Sequence, residues 1–354
     1  MRKLTVVVLF GEQSSGYEVS CMWAADVIAA LDEEKYDVLP VGITKNGNWR
    51  ICHGSVDVIR EGRWEKYSVD AILSPDASRK SLLKLVGGKY KEIPVDVVIP
   101  VLYEAGGTVQ GLLEMAKIPY VGCGVLPSAL SMNRICIRRI AKAEKIPMAK
   151  FLWCDGEVLA ETKEKVMRQA EKKLGYPCFV KPANSGSSVG VSKAKNREEL
   201  EKALFYAAKY DRKVIMEEAI DGREFECAVL GNEDKHISGI GEIVTTAEFY
   251  DYDAKYHNAL SRTIIPGEVE AEALAQMRKI SEKIYHAVDA SGLARVDFFM
   301  EKSGRVLFNE LNTMPGFTSI SMYPMLWEEE GMSKTELMDR LIALALERDN
   351  GIHG

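Results

Sequence analysis

Two short apolar runs, residues 294–300 and 306–311, flank the polar turn Glu301-Lys302-Ser303-Gly304-Arg305, the pattern of two antiparallel strands joined by a hairpin. Alternation along a strand puts Arg295, Asp297 and Phe299 on one face of the first, and Phe308, Glu310 and Asn312 on one face of the second. Asp297, Glu310 and Asn312 offer two carboxylates and an amide oxygen. Such hard donors suit Mg²⁺, which keeps room for waters and for substrate phosphate oxygens. Arg295 beside them is placed to neutralise negative charge that develops during phosphoryl or acyl transfer. Taken alone, the same residues read equally well as a surface hairpin with a salt-bridged Arg-Asp pair.

Three other stretches bear on that choice. The strand-like Cys178-Phe179-Val180-Lys181-Pro182 runs into Ala183-Asn184-Ser185-Gly186-Ser187-Ser188-Val189-Gly190-Val191, a loop of small residues whose backbone N–H groups could close over phosphates, with Lys181 supplying a point charge. The loop has neither the Walker Gly-Lys-Ser/Thr ending nor the Rossmann glycine spacing, and by itself a plain hairpin turn is the commoner meaning. A further strand, residues 214–218, ends in Glu217 and Glu218, with Glu224 beyond the turn Asp221-Gly222. These acids could meet an adenine amino group and ribose hydroxyls, or they could be solvated charges. Residues 249–257, aromatic and charged with few aliphatic anchors, read as a mobile lid.

The elements that must position these groups fall into a clear order. Residues 4–10 form a continuous apolar run of the kind buried on both faces of a parallel sheet, and Gly11 ends it. A helix over 18–31, a strand over 38–43, a turn at Gly47-Asn48 before Trp49, a second buried strand over 95–102, and a helix over 108–117 follow. Residues 50–92 are weakly patterned. Strands alternating with helices predict an open α/β domain over about the first 120 residues, with ligands at the strands' carboxyl ends, here residues 11–20 and 103–108. Next come a helix over 128–144 carrying Arg134, Arg138 and Arg139, a charge-dominated helix over 161–174 read as solvent-exposed, and a closing amphipathic helix over 333–348.

Composition narrows the function classes. At 354 residues the chain is too long for a single compact core and implies two or three domains. A hydrophobic content of 47% with 28% charged residues is that of an ordinary globular protein, and a formal charge of −6 disfavours a nucleic-acid partner. No apolar run approaches the roughly 20 residues needed to span a bilayer, and Met1-Arg2-Lys3 leads straight into a strand, so a cytoplasmic protein without a membrane partner is expected. Seven cysteines without a Cys-x-x-Cys read as reduced thiols, none of them a ligand or nucleophile.

Together the motifs resemble the D-alanine:D-alanine ligases of the ATP-grasp superfamily over nearly the whole chain. The resemblance is carried by Leu9-Phe10-Gly11 with Glu18-Val19-Ser20, Thr108-Val109-Gln110-Gly111, Ile118-Pro119-Tyr120-Val121-Gly122, and residues 179–193, 214–226, 249–256 and 294–321. Val41-Gly42-Ile43-Thr44, with Gly47 and Trp49, is similar to the branch that includes the vancomycin-resistance ligases making D-alanyl-D-serine. The resemblance implies an open α/β N-terminal domain (1–125) followed by a two-lobed ATP-grasp (126–220 and 221–354), α+β in character at its C-terminal end. It also implies ATP with two Mg²⁺ ions, Mn²⁺ being an alternative, and a homodimer. Arg134, Lys181 and Ser188 would hold ATP phosphates, Arg134 standing where the family usually has Lys. Glu217 would meet the adenine and Glu224 the ribose. Asp297, Glu310 and Asn312 would bind metal, and Arg295 would stabilise the acyl phosphate and tetrahedral intermediate. Ser321 and the backbone at Met322 would take the second amino acid's carboxylate. Ser187 and Tyr256 would belong to a hydrogen-bonded triad, with Lys255 on the lid, and Tyr256 matches ligases that use an amine rather than D-lactate.

Two departures fall on one pocket. Gly16 and Tyr17 stand where the family has Glu and His, and the later His-Gly-x-x-Gly-Glu-Asp-Gly loop is reduced to Tyr103-Glu104-Ala105-Gly106-Gly107. The lost acids are those that hold the first D-alanine's ammonium. Glu12 or Glu104 is the available substitute. The expected activity is ATP-dependent D-alanyl-D-alanine synthesis for cell-wall precursors, the alternatives being a related ligase with another first substrate or D-serine as second, or an ATP-binding regulatory protein.

Overall fold

The computed structural model describes residues 2–14, 16–102, 106–184, 186, 189–244 and 262–352, the side chains of 349–352 excepted. Three sheets organise the described residues. The first contains β1 (Leu4–Gly11), β2 (Tyr36–Ile43), β3 (Trp49–Cys52), β4 (Ser68–Leu73), β5 (Ser81–Val86), β6 (Lys89–Pro94) and β7 (Val97–Pro100), in the order β6-β5-β4-β3-β2-β1-β7. Only β2, β1 and β7 are mutually parallel. The weakly patterned 50–92 region supplies the antiparallel extension β3 to β6, together with the short helix α2 (Val56–Arg60).

Strand β1 explains why its sequence is continuously apolar. Val6, Val8 and Phe10 face one core with helix α1 (Tyr17–Ala30), whereas Val7 and Leu9 face the opposite core with Leu113 of helix α3 (Thr108–Met115). Gly11 takes a left-handed φ of 77°, and a Cβ there would lie 2.1 Å from the Ile43 carbonyl oxygen, so only glycine fits. Ser20 fastens this corner: its hydroxyl accepts from Gly11 N at 2.9 Å and donates to the Val101 carbonyl.

The helix expected over 128–144 is two helices, α4 (Val125–Met132) and α5 (Arg134–Ala143). The break is at Asn133, which is extended and whose side chain accepts from Cys136 N at 2.9 Å as an N-cap. The second sheet holds β8 (Phe151–Asp155), β9 (Cys178–Pro182), β10 (Ser192–Ala194) and β11 (Lys213–Glu218), ordered β10-β9-β11-β8. One face packs on α6 (Leu159–Lys173) and α7 (Arg197–Ala207). Helix α6 is therefore not fully exposed, since Leu159, Val166, Met167 and Ala170 are buried on that side.

The third sheet is antiparallel: β12 (Gly222–Gly231), β13 (Lys235–Val244), β14 (Arg262–Ile264), β15 (Gly292–Glu301) and β16 (Val306–Asn312), ordered β14-β13-β12-β15-β16. Its buried face packs on α5 and on α8 (Ala271–Ala287). Helices α9 (Met322–Glu329) and α10 (Lys334–Ile352) close the chain and share a core with α1. Arg348 of α10 locks onto the first domain, stacking over Tyr120 at 4.4 Å and donating to the Tyr120 carbonyl at 2.9 Å.

Candidate active site

The paired strands β15 and β16 lie as expected, with Arg295 opposite Asn312 and Asp297 opposite Glu310. The register then shifts, because Asn309 is an extra residue and Phe298 pairs with Phe308. This bulge corrects one expectation: Phe308 is 1% exposed in the core beside Phe298 and does not share the face of Glu310 and Asn312. Across the other edge of β15, Glu226 stands opposite Asp297 and Glu224 opposite Phe299. Three neighbouring strands thus present Glu224, Glu226, Arg295, Asp297, Glu310 and Asn312 on one side.

Arg295 is held between two carboxylates. Its Nε lies 2.9 Å from Glu226 and 2.7 Å from Asp297, and its Nη2 donates to the second Asp297 oxygen at 2.8 Å. Burial pushes the guanidinium towards losing its proton, but Asp297 and Glu226 outweigh this and hold it well above its ordinary value. The group is a fixed positive charge.

The second sheet supplies the opposite wall. Phe179, Lys181, Ile215 and Glu217 share a face because Phe179 pairs with Glu217 and Lys181 with Ile215. Lys181 Nζ meets Glu217 Oε2 at 2.7 Å, and Arg138 Nε meets Glu217 Oε1 at 2.5 Å. Burial raises the Glu217 carboxyl, but the attraction of Arg138 and Lys181 prevails and holds it well below the usual carboxylate range. Arg134 opens α5 and donates from its Nη1 to the Pro182 carbonyl at 3.1 Å and from its backbone N to the Ala183 carbonyl at 2.9 Å. Asn133 Nδ2 donates to Asn184 Oδ1 at 2.8 Å, and Asn184 N donates to Asp211 at 2.7 Å, so the start of the glycine-serine loop is pinned beside Arg134.

These two walls enclose one cavity of about 690 Å³ lined by Arg134, Arg138, Lys181, Glu217, Glu224, Asp297, Glu310 and Asn312, among others. That volume suits a nucleotide-sized ligand. Its lining mixes cations, Arg134, Arg138 and Lys181, with acceptors, Glu217, Glu224, Asp297, Glu310 and Asn312, groups that can meet phosphate oxygens and the donors of a purine nucleoside. Among the described residues no group of three or more His, Cys, Asp or Glu stands ready to hold a metal. The donor set here is instead two carboxylates and an amide, oxygen ligands that fit Mg²⁺ when phosphate oxygens and water complete its shell. Arg138 and Glu226 were given no role from sequence. Arg138 lies one helical turn from Arg134 and Glu226 one strand repeat from Glu224, spacings that could have revealed both.

Of the residues expected to meet amino acids, Ser321, Met322, Glu12, Gly16 and Tyr17 are among the described residues. Ser321 stands at the N-cap position of α9 with its hydroxyl accepting from Thr318 N at 3.0 Å instead of from the helix, and Met322 begins that helix, whose N-terminal amides favour a carboxylate. The Met322 side chain itself is buried in the core, and a Cβ on Gly241 would lie 2.1 Å from its sulfur. Glu12 is 8% exposed, directly after Gly11 at the carboxyl end of β1. Gly16 precedes α1 with φ −83°, open to any residue. Tyr17 turns inward: its hydroxyl accepts from Trp64 Nε1 at 3.0 Å and donates to Glu65 at 3.3 Å. Glu104, Ser187, Ser188, Lys255 and Tyr256 lie outside the described residues.

Comparison with known proteins covers the chain almost from end to end. The family description "D-ala D-ala ligase N-terminus" matches residues 5–123, and "D-ala D-ala ligase C-terminus" matches residues 140–343. The chain is 45% identical to a D-alanine–D-alanine ligase of Caldicellulosiruptor bescii, covering 99% of this chain and 97% of that protein. Identity is 47% with the D-alanine–D-alanine ligase of Acetivibrio thermocellus, covering 98% and 97%. Among solved structures, the VanG D-Ala:D-Ser ligase from Enterococcus faecalis is similar with a TM-score of 0.87 and 36% identity, covering 97% of this chain and 100% of that one. The D-alanine-D-alanine ligase from Coxiella burnetii follows with a TM-score of 0.83 and 31% identity, covering 99% and 97%. Spanned by both halves of the family description and by relatives along almost its full length, the chain belongs to the D-alanine:D-alanine ligase family, ATP-dependent ligases of the ATP-grasp fold.

Proposed function

We propose that this protein joins two D-alanine molecules with ATP, a cytoplasmic step that supplies a cell-wall precursor. The observation that carries this reading is the convergence of Arg134, Lys181, Glu217, Glu224, Asp297, Glu310 and Asn312 on one cavity. The adenine amino group donates to Glu217 and the ribose hydroxyls to Glu224. Arg134 and Lys181 bind phosphate oxygens, and the family resemblance adds Ser188 to the ATP contacts. Asp297, Glu310 and Asn312 would hold Mg²⁺, which would supply positive charge to offset that of the transferring phosphoryl group. The γ-phosphoryl passes to the first substrate's carboxylate, giving an acyl phosphate and ADP. The second amine attacks the acyl carbon, and phosphate leaves. Arg295 faces the negative charge of both steps from a position already fixed by Glu226 and Asp297, so little reorganisation is needed. Ser321 and the amide of Met322 orient the second carboxylate, and the family resemblance assigns Ser187, Tyr256 and Lys255 to the catalytic group.

At the first subsite, Gly16 leaves the substrate ammonium without the family's usual acid, and Glu12, with Glu104, is the proposed replacement. This favours a second reading in which D-alanine binds there weakly or an acid lacking the ammonium is preferred. Mg-ATP with D-alanine alone should yield D-alanyl-D-alanine, ADP and phosphate in equal amounts, and adding D-serine shows whether the mixed product competes. Absence of dipeptide with ADP release on another acid would replace the first reading by the second.

A further inference from the structure

Arg138 stands on the nucleotide-site reading but plays no part in it so far. It is 4% exposed and, from α5, touches both β11 and β16. From α5 its Nε holds Glu217 Oε1 of β11 at 2.5 Å. Its Nη1 donates to the Phe308 carbonyl of β16 at 3.2 Å and to the Asn309 carbonyl, and its Nη2 reaches Asn309 Oδ1 at 3.4 Å. The guanidinium therefore spans from the base-binding carboxylate to the bulge from which Glu310 and Asn312 face the cavity. Only a planar, five-donor group can serve both ends.

The second oxygen of Glu217 is taken by Lys181 at 2.7 Å, and Lys181 is also the cation assigned to the phosphates. Moving Lys181 from Glu217 to a phosphate would strip a buried carboxylate of a partner, an event costing about two to three decades in an equilibrium constant when no other partner remains. With Arg138 in place, another partner does remain.

We infer that Arg138 is a positioning residue for the nucleotide: a permanent counter-ion of Glu217 that frees Lys181 for the phosphates, and a clamp on the Asn309 bulge that aims the metal-binding strand. Removing the charge traps Lys181 on Glu217, so phosphate recognition suffers and base recognition does not. Replacing the guanidinium by an ammonium keeps the charge but loses the reach to β16.

The test is calorimetry of Mg-ATP and of adenosine with the parent, Arg138→Met and Arg138→Lys, with Mg²⁺ titrated at fixed ATP. Arg138→Met should weaken Mg-ATP about 100-fold and adenosine less than about 5-fold. Arg138→Lys should keep the ATP-to-adenosine ratio near the parent's while raising the Mg²⁺ needed for half-maximal ATP binding about 10-fold. Equal weakening of both ligands in Arg138→Met, or none, overturns the counter-ion role and marks Arg138 as packing only. If Arg138→Met fails to fold, Arg138→Gln takes its place, and a parent-like Mg²⁺ requirement in Arg138→Lys overturns the inference by itself. A parent protein that does not bind Mg-ATP at all would instead refute the underlying site assignment.

Discussion

The proposed nucleotide cavity and the proposed first amino-acid subsite sit in one chain under different constraints. In the cavity, charges are mutually held: Glu217 between Arg138 and Lys181, and Arg295 between Glu226 and Asp297. At the end of β1, where the family resemblance leads one to expect Glu and His, Gly16 has a φ open to any residue and Tyr17 is committed to Trp64 and Glu65. A phosphate-transfer centre tolerates little drift because each buried charge needs its partner. A substrate-recognition loop can change residue by residue, since the cost falls on affinity for one ligand rather than on the fold.

The sharpest way to break this contrast is at Arg295. Arg295→Ala should abolish turnover and also destabilise the protein by about 3 to 5 kcal/mol, because Glu226 and Asp297 stay buried without their counter-ion. Thermal unfolding and ADP release read the two effects separately. Glu310→Ala should lose turnover by about a thousandfold with little change in Tm, being a strand-face donor outside the core; a large fall in Tm would make Glu310 a structural residue instead. The mildest effect is acid sensitivity. The folded Glu217 carboxyl lies below its ordinary value, so it adds stability that is present above the unfolded pKa and is lost as pH falls through the folded one. Tm should therefore decline on acidification below about pH 5, and more steeply in the parent than in Glu217→Gln. Parallel curves would remove Glu217 from the account.

Legibility follows the same division. The β15–β16 hairpin, β1 and the β9 strand were visible because alternation, a polar turn and continuous apolar runs are local signals. The bulge at Asn309 was not, since one extra residue leaves the composition of β16 unchanged while reversing the side on which Phe308 lies. The break between α4 and α5 was hidden by apolar periodicity on both sides of Asn133, although Asn is itself a capping residue. Strands β4 to β6 were missed because exposed residues such as Ile72, Val86 and Tyr90 interrupt the pattern of a half-buried strand. The metal and nucleotide candidates stood out by residue type, spacing and family resemblance, and the structure brings them to one cavity. Arg138 and Glu226 escaped because a charge that holds another charge looks, in sequence, like any solvated one.

The central claim is that the ATP machinery is complete while recognition of the first substrate's ammonium is altered. The most direct measurement is D-alanine-dependent ADP release by the parent, Gly16→Glu and Glu12→Ala, alongside Mg-ATP binding in each. Mg-ATP should bind all three alike, Gly16→Glu should lower the D-alanine concentration for half-maximal rate by about tenfold or more, and Glu12→Ala should raise it. Ready saturation of the parent by D-alanine, unimproved by Gly16→Glu and indifferent to Glu12→Ala, would contradict the claim.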